Sequence, residues 1–189
     1  MFRNLNVPNL WSDRRGSVAV EFVVIAIVLI FMLLFITDLV MRQALVGKLD
    51  RVSYSVAGVL RERIQLFDAR ETLEQQDIEQ TRRLAEKMLR DMHASADLSQ
   101  LRIQVEEAHY NDGKGVSLYR AWRSGSAGEC QAPQPLNQLT RLTPKGSYGR
   151  WVPLYQVTVC LPTVSWFTRL TKALDERPVM SSFAIVMAR

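Results

Sequence analysis

The sequence predicts an α+β protein: a long amino-terminal helix that begins in a membrane, then a small domain with a second helix and a mainly antiparallel sheet. Every residue from Phe22 to Ile36 is apolar, and no proline occurs between Asn9 and Ala132. Alternating apolar residues appear only in the second half of the chain, after the helical patterns. Helices followed by strands are typical of α+β domains. A length of 189 residues suits one modest domain with an appendage.

The composition excludes some classes of protein. A hydrophobic content of 48% is too high for a disordered polymer. The net charge of +5 raises the possibility of nucleic-acid binding. Between Arg42 and Arg90, however, ten Lys/Arg residues are interleaved with eight Asp/Glu residues. That pattern predicts a solvated helix face and no nucleic-acid partner.

The first element is predicted to be a membrane helix, in contact with membrane lipid. The chain from Val18 to Met41 has 24 residues, and its polar residues are Glu21, Thr37 and Asp38. A helix needs about 20 apolar residues to cross a bilayer.

Two arginines, Arg14 and Arg15, precede the apolar run. They predict a cytoplasmic amino terminus and a carboxy-terminal body beyond the inner membrane. A cleaved secretory signal is one alternative, but no clear small-residue cleavage site follows the run. A plain signal anchor is another, and it leaves Glu21 without a role.

Arg14, Arg15, Gly16 and Glu21, in this order before and within the apolar run, resemble a type IV prepilin signal. The resemblance implies that a prepilin peptidase cuts between Gly16 and Ser17 on the cytoplasmic side. The apolar helix is then retained, and Glu21 becomes the fifth mature residue.

A carboxylate within a membrane segment needs an explanation. It costs about 2.5 to 3.5 kcal/mol at the bilayer centre and less near an interface. The resemblance implies that Glu21 pairs with the Ser17 ammonium of a neighbouring subunit. The alternative is a carboxylate hydrated among the lipid headgroups.

The helix is predicted to continue beyond the membrane to Phe67, because only Gly47 and Gly58 interrupt its helix-forming residues. A heptad-like apolar stripe follows the span. Its members are Leu45, Leu49, Val52, Val56, Val59 and Leu66. We expect the stripe to pack on the distal domain, although contact with neighbouring subunits is an alternative.

The segment from Leu49 to Phe67, LDRVSYSVAGVLRERIQLF, is similar to TadF-type proteins of the tight-adherence pilus system. The resemblance implies a minor pseudopilin that a prepilin peptidase processes and that pilus biogenesis requires. Its implied partners are that peptidase, TadE-like and major pilin subunits, and the inner-membrane assembly platform. The length argues against the major pilin, and the absence of proline from the apolar run argues against the TadE type.

The distal domain begins with a charged connection and a helix over residues 78–92, which Asp77 is expected to cap. Alternation from Leu101 to Val105 predicts a strand. The turn sequence Asn111–Gly115 and the extended pattern from Val116 to Trp122 predict a hairpin.

A Gly-, Ser- and Pro-rich loop follows over residues 124–149. A third strand is predicted from Trp151 to Leu161 and a fourth from Val179 to Met187. Between them, a short helix is predicted from four apolar residues: Trp166, Phe167, Leu170 and Leu174.

The two cysteines, Cys130 and Cys160, are predicted to form a disulfide. They lack a CxxC pair and a histidine at ligand spacing, which argues against a zinc site. The predicted topology places both outside the cytoplasm, where disulfides persist. The alternative is a pair of buried free thiols.

No catalytic constellation is recognisable, so we expect no enzyme activity, no cofactor and no metal. His93 and His109 have no nucleophile motif nearby. Glu106 and Glu107 would point to opposite faces of a strand, and both are predicted to be surface residues.

The sequence thus predicts four parts: a prepilin-type leader (1–16), a transmembrane helix (17–41), an amphipathic extension (42–67) and an extracytoplasmic α+β domain (68–189). The predicted function is that of a non-enzymatic minor pseudopilin of a tight-adherence pilus. A minor pseudopilin of type II secretion is one alternative. A signal-anchored periplasmic binding protein or enzyme is another.

Overall fold

The fold class is α+β, as predicted. The computed structural model describes residues 17–66, 72–92, 97–146, 148–163 and 179–188. The predicted leader and the predicted short helix around Trp166 lie outside these residues. The chain divides into two compact units at Met41 and Arg42.

Helix α1 runs from Ser17 to Leu66 and helix α2 from Gln75 to Met92. In the first unit, the described part of α1 is apolar around its whole circumference. By length and composition, α1 is the one helix among the described residues that is able to cross a membrane.

The second unit contains a four-stranded antiparallel sheet in the order β2-β1-β3-β4. The strands are β1 (Arg102–Tyr110), β2 (Val116–Gly125), β3 (Leu154–Pro162) and β4 (Val179–Met187). The central strands β1 and β3 are buried almost throughout, because both faces of the sheet are covered.

The two faces of the sheet have different covers. On one face, the second half of α1 and helix α2 pack with alternate sheet residues in the main apolar core. On the other face, the long connection between β2 and β3 packs through Leu136, which joins Ala108 and Leu154 in a smaller cluster.

The apolar stripe of α1 packs on the sheet only in part. Leu49, Val52 and Val56 are buried, whereas Val59 is 52% exposed and Leu60 is buried in its place. The prediction that Val59 continues the stripe was therefore wrong. A straight α-helix drifts by about 20° per seven-residue repeat, so Val59 lies further towards solvent than Val52.

A polar contact joins α1 to the edge strand β4. The Ser182 hydroxyl donates to the Asp50 carboxylate and lies 3.1 Å from the Ser53 hydroxyl. Both serines are buried, and these hydrogen bonds satisfy hydroxyls that would otherwise be costly to bury. They fix the position of α1 along β4 within the second unit.

Several element boundaries differ from the prediction. Helix α2 begins at Gln75, and the Asp77 carboxylate accepts the Glu74 N–H (2.8 Å) from within the first turn. Strand β3 begins at Leu154 and not at Trp151, which instead pairs with Lys145 in an isolated bridge. Both differences come from local contacts: Asp77 caps from inside the first turn, and the bridge holds Trp151 outside β3.

The burial of α1 in the second unit yields a testable expectation. Leu49→Ala removes a fully buried side chain from the main core, so it should lower the free energy of unfolding by roughly 2–5 kcal/mol. Chemical denaturation of the full chain in neutral detergent, followed by tryptophan fluorescence, measures the loss. Tyr54 lies on the same helix and is 70% exposed, so Tyr54→Ala should change the free energy of unfolding by less than about 0.5 kcal/mol. Equal losses in both variants would contradict the packing.

Candidate functional site

The first candidate site is the exposed apolar surface of α1 in the first unit. Its large apolar side chains are exposed by fractions from 46% at Ile36 to 72% at Val18. A continuous apolar surface of this size is unfavourable in water and is typical of a helix surrounded by lipid or by other apolar helices. The surface therefore suits a membrane anchor.

Two residues of the predicted processing and pairing site lie on α1. Ser17 and Glu21 are one helical turn apart, and Glu21 is exposed. Gly16 lies outside the described residues. The Glu21 carboxylate interrupts the apolar surface near one end.

Cys130 and Cys160 form a disulfide, which is the pairing that the sequence predicts. Their Cα atoms are 5.7 Å apart, and 30 residues separate them along the chain. Both side chains are buried. The bond ties the connection between β2 and β3 to the end of the central strand β3.

The prediction that Glu106 and Glu107 are surface residues was wrong. Glu106 is 2% exposed and Glu107 is fully buried. They do point to opposite faces of β1, but β1 lies between β2 and β3 and both of its faces are covered. Each carboxylate is therefore enclosed by a different layer of the protein.

Glu106 binds the long connection that covers its face. Its Oε2 accepts the Leu136 N–H (2.7 Å), and its Oε1 accepts a hydrogen bond from Gln104 (2.6 Å). The Tyr119 hydroxyl is a further hydrogen-bonding partner. Burial, reinforced by the charge of Glu106 and this hydrogen bond, raises the pKa of Tyr119 to about 12.

Glu107 binds the segment that leads into α2. Its Oε2 accepts the Leu73 N–H (3.2 Å), and its Oε1 lies 2.5 Å from Nε2 of His109. The histidine is two residues further along the same face of β1. The pair holds the start of the helical layer against the middle of the sheet.

These two carboxylates act as acceptors for backbone groups. They face different layers, so they do not form a pair that acts on one substrate. Among the described residues, no cluster of three or more His, Cys, Asp or Glu side chains is placed to hold a metal ion. Through their hydrogen bonds, the two carboxylates attach both covering layers to β1.

Sequence reasoning missed the roles of Glu106, Glu107 and Gln104. The sequence contained a partial signal. These polar residues lie in or directly after a predicted strand, and a helix and a 26-residue loop were available to cover its two faces. The two glutamates accept backbone N–H groups more than 25 residues away, and no local pattern identifies such partners.

These observations define a class: an α+β protein with one amino-terminal helix suited to a membrane and a disulfide-linked second unit, residues 42–189, which we call the distal unit. The chain matches the family described as "Putative tight adherence pilin protein F", TadF, over residues 9–189. It therefore belongs to the TadF family, and pilin family membership implies a structural, non-enzymatic protein that interacts with other pilus subunits. No curated protein and no solved structure matches the chain.

Removal of the disulfide should destabilise the distal unit. Cys130→Ala with Cys160→Ala frees a loop closed over 30 residues, and chain entropy predicts a loss of roughly 3–4 kcal/mol in the free energy of unfolding. Denaturation with and without dithiothreitol measures it. Reductant should destabilise the wild type and leave the double variant unchanged. Free alkylation of both wild-type thiols without reductant would show that the bond is absent.

The contact between Glu106 and Tyr119 should appear in the titration of the phenol. Glu106→Gln removes the negative charge but not the burial, so the pKa of Tyr119 should fall below about 12 and stay above 10. Ultraviolet absorbance of tyrosinate measures it, and Tyr119→Phe identifies the transition.

The same shift has a consequence for stability. The folded state holds the Tyr119 proton more tightly than the unfolded state. The contribution of this proton to the free energy of unfolding is therefore complete below pH 10 and is lost towards pH 12. The loss over this window should be smaller in Glu106→Gln. An unchanged pKa in that variant would contradict the contact.

Proposed function

We propose that this protein is a minor pseudopilin required for the assembly of a tight-adherence pilus. The observation that carries the proposal is the match to the pilin family over residues 9–189, together with an apolar helix whose side chains are exposed all around. A free apolar helix at the amino terminus suits insertion among the helices of other subunits. The distal unit then primes or caps the assembly.

Processing by a prepilin peptidase is part of the proposal. Gly16 follows the basic pair Arg14 and Arg15 and precedes Ser17 and the apolar run. Cleavage after Gly16 keeps the apolar run and creates a new ammonium at Ser17. The arginines favour a cytoplasmic amino terminus, so the distal unit lies in the periplasm.

Glu21 then supplies the partner for that ammonium. The two residues are one helical turn apart, and Glu21 is exposed on the apolar helix. In an assembly of parallel helices, its carboxylate meets the Ser17 ammonium of a neighbour. Attraction between charges is stronger among apolar helices than in water, but the cost of dehydrating both charges offsets much of the gain. The pair therefore sets register and partner choice more than bulk affinity.

The partners follow from these steps. They are the prepilin peptidase, the other pilin subunits, including the TadE-like and major pilins, and the inner-membrane assembly platform. The disulfide fits an oxidising compartment outside the cytoplasm. The subunit remains anchored in the inner membrane until it is incorporated into the assembly.

The test compares two single variants in a piliated strain. Gly16→Ala should remain uncleaved, because the residue before the cut is changed. Glu21→Ala should be cleaved normally and still fail to support surface pili, because the charge that pairs with Ser17 is gone. Immunoblotting measures processing, and electron microscopy measures pili in the same cells. Intact mass of the extracted protein should show the loss of 16 residues.

Glu21→Gln is the matched control, since it keeps size and hydrogen bonding and removes only the charge. It should behave as Glu21→Ala if charge pairing matters. Normal piliation with Glu21→Ala at normal protein level would mean that the glutamate has no role in assembly. A wild-type protein that still begins at Met1 beside active peptidase would refute processing.

A further inference from the structure

Two loops meet beyond the ends of strands β1 and β3 and form a basic and aromatic surface. One is the hairpin turn Asn111–Gly115, and the other is the segment 145–151, closed by the bridge between Lys145 and Trp151. The Trp151 indole N–H donates to the carbonyl of Asp112 (3.1 Å) and joins the two loops. We call this surface the tip patch; its members are Lys114, Lys145, Tyr148, Arg150 and Trp151.

The tip patch concentrates positive charge on one ring. The ammonium groups of Lys114 and Lys145 lie 4.7 Å and 5.5 Å from the centroid of the Trp151 ring. Both distances are within the range of cation–π attraction. Arg150 is adjacent and exposed, and the acid within the two loops is Asp112. Within the described part of the chain, no salt bridge to a carboxylate is seen for these three cations.

The backbone at Lys114 supports a role for its side chain. Its φ of 64° lies in the left-handed region, which favours glycine or asparagine over lysine. The turn holds it there, because Lys114 donates its N–H to the Asn111 carbonyl (2.9 Å) and Gly115 donates to the Asn111 side chain (2.7 Å). The turn therefore holds Lys114 in a conformation that is unusual for lysine, with its ammonium 4.7 Å from the centroid of the Trp151 ring.

The chemistry of the patch selects the kind of partner. Two ammonium groups and a guanidinium bind carboxylates or phosphates, and a repeating polyanion engages several of them at once. Tyr148 is 93% exposed, three residues after Lys145 and two before Arg150, and its ring is open for a sugar ring to stack on. The segment 145–151 has no aliphatic side chain to insert into a lipid layer, and Trp151 is already engaged by two cations and a hydrogen bond.

We propose that the tip patch binds an acidic polysaccharide, with Lys114, Lys145 and Arg150 contacting its carboxylates and Tyr148 stacking on a sugar ring. This activity lies beyond pilus assembly and does not depend on processing or on Glu21. It is therefore tested on the isolated full-length protein, and its failure leaves the assembly proposal unaffected.

The test uses the full chain in nanodiscs of zwitterionic lipid and polygalacturonate as the probe. Biolayer interferometry should show saturable binding that weakens as salt is raised, since exposed charges are screened. Lys114→Gln with Lys145→Gln should bind about tenfold more weakly. The matched control is Arg83→Gln with Lys87→Gln, which removes the same net charge from exposed positions of α2 and should bind like the wild type. Equal loss in both pairs would overturn the proposal, because net charge alone would then explain the binding.

Three other probes separate the possible partners. Neutral dextran should not bind, and polyglutamate, which has the carboxylates without sugar rings, should bind more weakly than polygalacturonate. Tyr148→Ala should weaken polygalacturonate binding and leave polyglutamate binding unchanged. Equal binding of the two polymers, or preferred binding to phosphatidylglycerol vesicles, would overturn the assignment of a polysaccharide.

Lys114→Gly distinguishes binding from folding. Glycine suits the left-handed backbone at this position, so the variant should be at least as stable as the wild type. It should nevertheless lose polygalacturonate affinity. A Lys114→Gly variant that is stable and binds fully would show that the lysine has no part in recognition.

Discussion

The distal unit depends on two adjacent carboxylates of its central strand. Glu106 and Glu107 point to opposite faces of β1, and each accepts a backbone N–H from the layer that covers its face. A buried carboxylate is costly unless it is well hydrogen-bonded, so each requires its covering segment to be in place. The long connection between β2 and β3 and the entry to α2 are thereby attached to one strand. The disulfide at Cys160 secures the same connection a second time, further along the sheet.

Helix α1 has two different surfaces, and each suits a different surrounding. From Val18 to Met41 it exposes apolar side chains on every side, interrupted by Glu21, Thr37 and Asp38, which suits lipid or other apolar helices. In the second unit it is apolar on one side only, where Leu49 and Val52 enter the core and Tyr54 faces outward. Buried Ser53 and exposed Asp50 add hydrogen bonds to β4. One helix therefore has a surface suited to a membrane anchor and also supplies core residues to the distal unit.

The polar groups of the described residues mainly hold segments together. The carboxylates of Glu106 and Glu107 bind backbone, and the hydroxyl of Ser182 binds Asp50. This use of polar side chains agrees with the structural role that membership of a pilin family implies. We propose that recognition uses surfaces instead: the apolar surface of α1 for other subunits, and the tip patch for an external polymer.

The sequence by itself determined the features that depend on local composition and spacing. The apolar run, the α+β order of elements, the fourth strand and the family resemblance were all evident from neighbouring residues. The pairing of Cys130 with Cys160 followed because the chain has two cysteines and an expected oxidising compartment. Only the tertiary structure decided which side chains are buried. Val59 is exposed because it lies at the edge of the buried side, where the small drift of a seven-residue repeat turns it further towards solvent. Glu106 and Glu107 are buried, and distant backbone N–H groups hydrogen-bond to them. Such contacts depend on how the layers pack around β1, which no local stretch of sequence specifies.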